Sequence, residues 1–277
     1  MKTFPVWLLT VSILTPAAGF AADWSKHRCP ADEAACLTID DTHKPAPPKG
    51  LESGRIVFAF GTDGCLASAP VWYDGDDKAV KPNPGIALGG AKNGHCSYAN
   101  QLNKAYIVYN EIVSKSDPSY KARIFGLYAV KDQATAMLHI GHRHEWEHAV
   151  VWLHNDQPEY VSTTEHKGLN TKKAEDAAHL KNDPNAFGVK YIIKKTTHYL
   201  DFASADKNHV VDNPDPTPDK SWFASSDAQL VDYRQASDQF KSIIDDRANW
   251  GETVPRVNDP KFLNDHKPGE WKNITFQ

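Results

Sequence analysis

Beyond its N-terminus the 277-residue chain has no long apolar run. No later stretch approaches the ~20 apolar residues that a membrane-spanning helix needs. It also has no basic cluster or stripe, and its formal charge of −4 is spread along the sequence, which argues against a nucleic-acid partner. No internal repeat and no linker-like stretch occur, so neither a repeat array nor a two-domain chain is expected. Helical patterns are not interposed between strand patterns, which excludes a doubly wound parallel sheet. Cysteine is scarce. Four residues, an even number, suit disulfides in an oxidising compartment better than a catalytic thiol.

The N-terminus explains the compartment. Lys2 is followed by a mostly apolar stretch over residues 4–16, and Gly19-Phe20-Ala21 offers small residues at the −3 and −1 positions of a signal-peptidase site. A signal peptide over residues 1–21 is expected, hence an exported protein. Residues 22–54 are polar and proline-rich near their end, as in an extended arm, and residues 55–277 form the folded domain. The four cysteines allow three connectivities. The sequence-neighbour pairing, Cys29 with Cys36 and Cys65 with Cys96, is favoured.

Strand patterns dominate the rest. Arg55-Ile56-Val57-Phe58-Ala59-Phe60, Ala105-Tyr106-Ile107-Val108-Tyr109, residues 122–130, residues 149–153, residues 160–163 and residues 189–194 are β-branched, aromatic or alternating. Residues 171–180 have helical composition. Leu230, Tyr233, Arg234, Phe240, Ile243 and Ile244 repeat at three and four, which predicts one long helix over residues 227–248, ended at Trp250-Gly251 by a left-handed glycine. Asn273-Ile274-Thr275 is a glycosylation acceptor. The pattern as a whole predicts a mainly β, single-domain antiparallel β-sandwich with peripheral helices.

Ionisable chemistry concentrates in Gly141-His142-Arg143-His144-Glu145-Trp146-Glu147-His148. His144 to His148 matches H-E-x-x-H, whose zinc chemistry needs both histidines on one face of a helix. The flanks deny that helix, with Gly141 before and Val150-Val151-Trp152 after. As a strand, the segment puts Glu145, Glu147 and Ala149 on one face and His144, Trp146, His148 and Val150 on the other. Two carboxylates with His142 at the loop edge make an oxygen-rich set suited to Mg²⁺, Ca²⁺ or Mn²⁺, and Asp132 at the end of the preceding strand supplies a third carboxylate if those strands are neighbours. Arg143 cannot bind a metal but can hold a phosphate. The alternative is a solvated strand edge with exposed ion pairs. His139, His154, His179, His198 and His209 are singly placed and read as ordinary surface or core histidines.

The octapeptide, running into Val150-Val151-Trp152, strongly resembles the GHRHDWE heptapeptide of the necrosis- and ethylene-inducing-peptide-like proteins, secreted cytolysins of microbes that live on plants. Asp63-Gly64-Cys65 with Gly94-His95-Cys96 resembles that family's disulfide pair. Tyr128 through Gln133 is similar to its aromatic strand ending in Lys-Asp. Trp250-Gly251, Val254-Pro255 and Asn258-Asp259-Pro260-Lys261-Phe262 resemble its C-terminal region. The resemblance covers residues 56–263.

It implies a β-sandwich like those of actinoporins and fungal lectins, and no enzymatic activity. It further implies a cavity in which Asp132, His142, Glu145 and Glu147 hold a divalent cation, Mg²⁺ or Ca²⁺, with Arg143, His166 and Asp201 as further ligand-binding positions. The partner implied is the hexose headgroup of plant membrane sphingolipids, glycosyl inositol phosphoryl ceramides, engaged by a monomer outside the cell before the membrane is permeabilised. The alternative within the family is a non-cytolytic, lectin-like sugar binder, and from a different class, the H-E-x-x-H zinc hydrolase. Three departures bear on toxicity. Glu145 stands where the family usually has aspartate, residues 134–138 replace a short Gly/Ser/Pro loop, and a second cysteine pair is present.

Overall fold

The computed structural model describes residues 28–136, 139–165, 168–194, 197–211 and 222–277. The expected signal peptide, His166, and most of the proline-containing loop after Asn208 lie outside the described residues.

Strands form where β-branched and aromatic residues alternate with small or polar ones. In chain order they are β1 (Arg55–Phe60), β2 (Val71–Asp74), β3 (Ala79–Pro82), β4 (Ile107–Val113), β5 (Tyr120–Gln133) and β6 (Gly141–His154). There follow β7 (Gln157–Glu165), β8 (Gly168–Lys173), β9 (His179–Leu180), β10 (Asp183–Lys194), β11 (Thr197–Phe202), β12 (Val210–Val211) and β13 (Leu230–Asp232). Two short helices close the chain, α1 (Asp238–Asp245) and α2 (Pro260–His266).

The larger sheet has the order β13-β4-β5-β6-β7-β8, and the smaller runs β1-β10-β9-β12 with β11 also on β10. Pairing is mostly antiparallel, as expected. Parallel joins occur where distant segments dock, at β1–β10, β9–β12 and β4–β13. Between the sheets lies one core, with Phe58, Phe60, Phe125, Leu127, Val151, Leu153 and Tyr191. A second core covers the outer face of the larger sheet, where Tyr128, Trp146 and Trp152 meet Trp250, Phe262 and Trp271 from the C-terminal segment. The centre of β6 is therefore buried on both faces, and Ala149-Val150-Val151-Trp152-Leu153 is accordingly apolar without alternation.

Both disulfides follow the sequence-neighbour pairing, Cys29–Cys36 and Cys65–Cys96. The first pins a turn at Ala34–Cys36 to the body of the protein, where Asn83 Nδ2 donates to the Ala34 carbonyl at 2.8 Å.

Two expected helices fail. The long helix over residues 227–248 is instead a short turn, β13, another turn and the eight-residue α1. Leu230 and Val231 are buried by pairing with Ile107 and Val108, so their burial reflects a sheet edge rather than a helical face. The helix proper starts only after Ser237, whose hydroxyl accepts from the Phe240 N–H at 3.2 Å. Gly251 does take the left-handed conformation, φ 65°. Residues 171–180 hold the end of β8, a turn at Ala174–Asp176 and β9. Strand pairing overrides helical composition there.

Candidate functional site

β5 and β6 form an antiparallel hairpin whose open end carries the polar residues. Asp132 faces His142 and Ala129 faces Glu145, so three chemically active side chains converge where the apolar run stops. The hairpin is closed by the Ala134 N–H on the Ile140 carbonyl at 3.0 Å. Gly141 has φ 135°, and a Cβ there would collide with the Asp132 carbonyl oxygen, which is why glycine stands at the head of the motif.

Toward its other neighbour, β6 is only half paired. The β6–β7 ladder ends at Ala149 and Thr163. Beyond it the Thr164 hydroxyl takes over, accepting from the His148 N–H at 2.8 Å and donating to the Glu147 carboxylate. The first half of β6 thus has an open edge. Along it lies a cavity of about 410 Å³ lined by His142, Glu145, Trp146, Glu147 and His148, by Thr164, Thr197 and His198, and by Glu252, Thr253, Val254, Arg256 and Phe262. Consecutive strand residues point to opposite faces, so a cavity touching four in succession must straddle the strand edge.

On the inter-sheet side the cavity is acidic. Ligand atoms of Asp132, His142 and Glu145 all lie within 4.8 Å of one another. Asp132 sits behind the cavity lining, fully buried. Its carboxylate is held by the His198 ring Nδ1, by the His198 backbone N–H at 3.2 Å and by the Thr197 hydroxyl at 3.0 Å. Burial alone would raise its pKa, but these bonds and the attraction of His198 outweigh it and keep the carboxyl below its ordinary range. Glu145 and Glu147 are pushed the other way. Burial and the charges of Glu147 and Asp132 drive Glu145 well above the usual carboxylate range. Burial raises Glu147 to about 8 despite the bond from Thr164.

This donor set fits a divalent cation. His142 Nδ1 donates to the His144 carbonyl at 2.8 Å, which leaves the Nε2 lone pair, 4.0 Å from Asp132 Oδ2, free for a metal. Glu145 Oε2 is buried without a hydrogen bond among the described residues. Among the described residues, no lysine or arginine neutralises Glu145 or Glu147; the ion-pair contacts in the cluster come from His142 and His198. Buried carboxylates without a cationic partner must either hold protons or bind a metal.

The H-E-x-x-H spacing forms no zinc site. Four residues apart on a strand, His144 and His148 are about 13 Å apart. His144 Nδ1 instead bonds the Tyr128 hydroxyl at 2.8 Å, and His148 Nε2 accepts from the Arg256 N–H at 2.8 Å. Burial lowers both histidines, to about 4 and about 3 respectively, so each is a neutral packing residue.

The expected residues Asp132, His142, Glu145 and Glu147 are thus gathered in one place. Arg143 is exposed and donates to the Pro84 carbonyl at 3.1 Å. Asp201 is not brought to the cavity. Its carboxylate accepts from the Phe202 N–H at 2.8 Å and lines a separate recess with Lys172, Asp176, Asp206 and His209, because it lies three residues beyond His198 on β11. In the sequence His198 reads as an ordinary histidine, yet it is buried against Asp132 and stacks on Tyr191 at 4.9 Å. Gly64, beside Cys65, packs directly on it; a Cβ there would sit 2.5 Å from His198 Nε2. No local pattern marks His198, which arrives by β10–β11 pairing.

Fold and site together define a two-sheet β protein with an acidic, cation-ready recess at one end of its larger sheet. The family model for the necrosis-inducing protein, NPP1, matches residues 57–267, and the chain belongs to that family. It is 33% identical over 129 residues to a necrosis-inducing protein NPP1 of Phytophthora cinnamomi, covering 44% of each chain. It is 36% identical over 76 residues to NLP effector protein 13 of Phytophthora capsici, covering 26% of this chain and 53% of that protein. The chain thus spans about half the length of the curated relatives it matches.

Among solved structures, necrosis and ethylene inducing protein 2 from the agent of cocoa's witches' broom disease superposes with a TM-score of 0.56 at 22% identity, over 80% of this chain and 92% of that one. NLPPya in complex with glucosamine gives 0.55 at 18%, over 82% and 97%. The non-toxic HaNLP3 gives 0.57 at 17%, over 81% and 93%. Such likeness establishes the fold, and a toxic and a non-toxic reading share that fold.

Proposed function

We propose that this protein is a secreted cytolysin that holds a divalent cation in the acidic cavity and uses it to bind sugar headgroups of plant sphingolipids. The headgroups are those of glycosyl inositol phosphoryl ceramides, and attachment permeabilises the plant plasma membrane from its outer leaflet. The observation that carries this reading is the cluster of Asp132, His142 and Glu145 beside Glu147, buried, without a lysine or arginine partner among the described residues, and opening into a cavity of small-molecule size. Asp132, Glu145, Glu147 and His142 Nε2 would hold the cation. The cation would supply positive charge that lets the carboxylates ionise, and coordination positions for hydroxyl oxygens. Family membership and the glucosamine complex of NLPPya support a sugar as the ligand. The chemistry is binding rather than bond cleavage.

A second reading, a lectin-like binder that does not lyse, draws on Glu145 standing where aspartate is usual and on the non-toxic HaNLP3 sharing the fold. Dye leakage separates the two. Vesicles containing glycosyl inositol phosphoryl ceramide should leak with wild-type protein and calcium, and stay intact with EDTA or with Glu147→Gln. Equal leakage from vesicles lacking the lipid contradicts the receptor. Binding to intact vesicles selects the lectin-like reading.

A further inference from the structure

A cation accounts for the inter-sheet half of the cavity but not for the half across the edge of β6. There the wall is Trp146 and His148 on one side and Glu252, Thr253, Val254, Arg256 and Phe262 on the other. Two polar atoms on residues that line this half, Trp146 Nε1 and Thr253 Oγ1, are shielded from solvent and have no hydrogen-bond partner among the described residues. A buried donor left unmade is costly, and native proteins rarely tolerate one without a reason.

The orientation of the indole is informative. Trp146 is 5% exposed, and its Cζ3 edge rests over Gly126 of β5, 3.2 Å from where a Cβ would stand. Nε1, on the opposite side of the ring system, therefore turns away from β5 and toward the open edge of β6. The backbone points the same way. The His148 N–H reaches outward to Thr164, and the His144 carbonyl outward to His142. By the alternation of an antiparallel ladder, the N–H and carbonyl of Trp146 between them also face that edge, where β7 has already left the ladder. Opposite these groups, Val254 and Phe262 supply apolar surface, with the Arg256 guanidinium 5.4 Å over the Phe262 ring.

Besides Glu252 and Arg256, this half offers neutral donors and acceptors and an apolar wall, which match a ring that carries hydroxyls on its rim and C–H groups on its face. We propose that this half of the cavity is a second subsite, built by Trp146, Thr253 and the open edge of β6. Its ligand is the sugar unit adjacent to the one that the cation engages. The cavity's volume of about 410 Å³ is that of a small-molecule pocket rather than of an ion site. This inference rests on the cation-dependent sugar binding proposed above.

Calorimetry with glucosamine and its β-1,4 disaccharide, in calcium buffer, tests it. Wild type should bind the disaccharide about tenfold more tightly than the monosaccharide. Thr253→Val, nearly isosteric, should cut disaccharide affinity about fivefold, the worth of one hydrogen bond, and leave glucosamine affinity unchanged. Thr253→Ser should restore it. If the disaccharide binds no better than glucosamine, or Thr253→Val changes both or neither, the subsite is overturned while cation-dependent binding of glucosamine still stands. If neither sugar binds the calcium-loaded wild type, the headgroup reading fails and the subsite with it.

Discussion

At position 145 the chain places a glutamate whose extra methylene carries Oε2 to 3.3 Å from His142 Nδ1. The longer arm does not take the carboxylate out of the cluster, because Asp132, His142 and Glu145 still fit within one ion's reach. Asp132 is ready for a cation because His198 holds it, and His198 is in turn held by the absence of a side chain at Gly64. That gives a prediction. Gly64→Ala should displace the His198 ring from Asp132 and weaken calcium affinity about tenfold or more by calorimetry. Far-UV circular dichroism should be unchanged, because the methyl group meets a side-chain ring and not a strand backbone. Unaltered affinity would show that His198 does not position Asp132. The two histidines that regular-expression reading assigns to zinc do other work: both are neutral, and they tie β6 to Tyr128 and to the C-terminal segment.

The β5–β6 hairpin is the element on which the site depends. Its centre is buried on both faces, so the strands cannot slip without moving every side chain to the wrong layer. Its polar end is fixed by Gly141. Gly141→Ala forces a Cβ into the Asp132 carbonyl at a backbone conformation that L-residues avoid. The substitution should cost roughly 2 kcal/mol or more of stability in urea denaturation and abolish cation binding with it.

Much at this scale is legible in the sequence. β1 begins and ends where the β-branched and aromatic run Arg55 to Phe60 does, and the opposite-face assignment of Glu145/Glu147 and Trp146/His148 holds, because strand propensity and periodicity are local properties. The helix over residues 227–248 fails for the converse reason. Leu230 and Val231 are apolar on account of a parallel pairing with β4, and spacing along the chain cannot distinguish that from a helical face. Thr164, His198 and the wall from Glu252 to Arg256 escape for the same cause, since each reaches the cavity only through tertiary pairing. The motif and Asp132 are visible because they are neighbours in one hairpin.

For the molecule as a whole, the buried carboxylates link stability to pH and to the cation. In the cation-free protein the pKa of Glu147 is raised from 4.5 to about 8. A carboxyl raised on folding stabilises the native state below its unfolded pKa, and that contribution is lost as pH climbs through the folded value. His148, lowered from 6.5 to about 3, has the opposite sign: its contribution is present above 6.5 and lost as pH falls toward 3. With EDTA, therefore, the carboxyl and histidine contributions oppose one another below pH 6.5, and the melting temperature should decline as pH rises from about 6.5 to 8, where Glu147 is forced to ionise and the histidines no longer titrate. Calcium should flatten that decline, and its affinity should rise over the same range as the metal displaces a proton. A melting curve in EDTA that improves steadily toward pH 8 would contradict the burial of Glu147 as a protonated acid.

The proposed headgroup binding depends on a divalent cation in this recess. Calorimetric titration of calcium and magnesium into EDTA-stripped, desalted protein at pH 7.5 tests it directly, with wild type beside Asp132→Asn and Glu147→Gln. Wild type should show a single site per chain, lost in Asp132→Asn and weakened at least tenfold in Glu147→Gln, with all three proteins equally folded. No saturable heat from wild type with either ion, or the same isotherm from all three proteins, would contradict it.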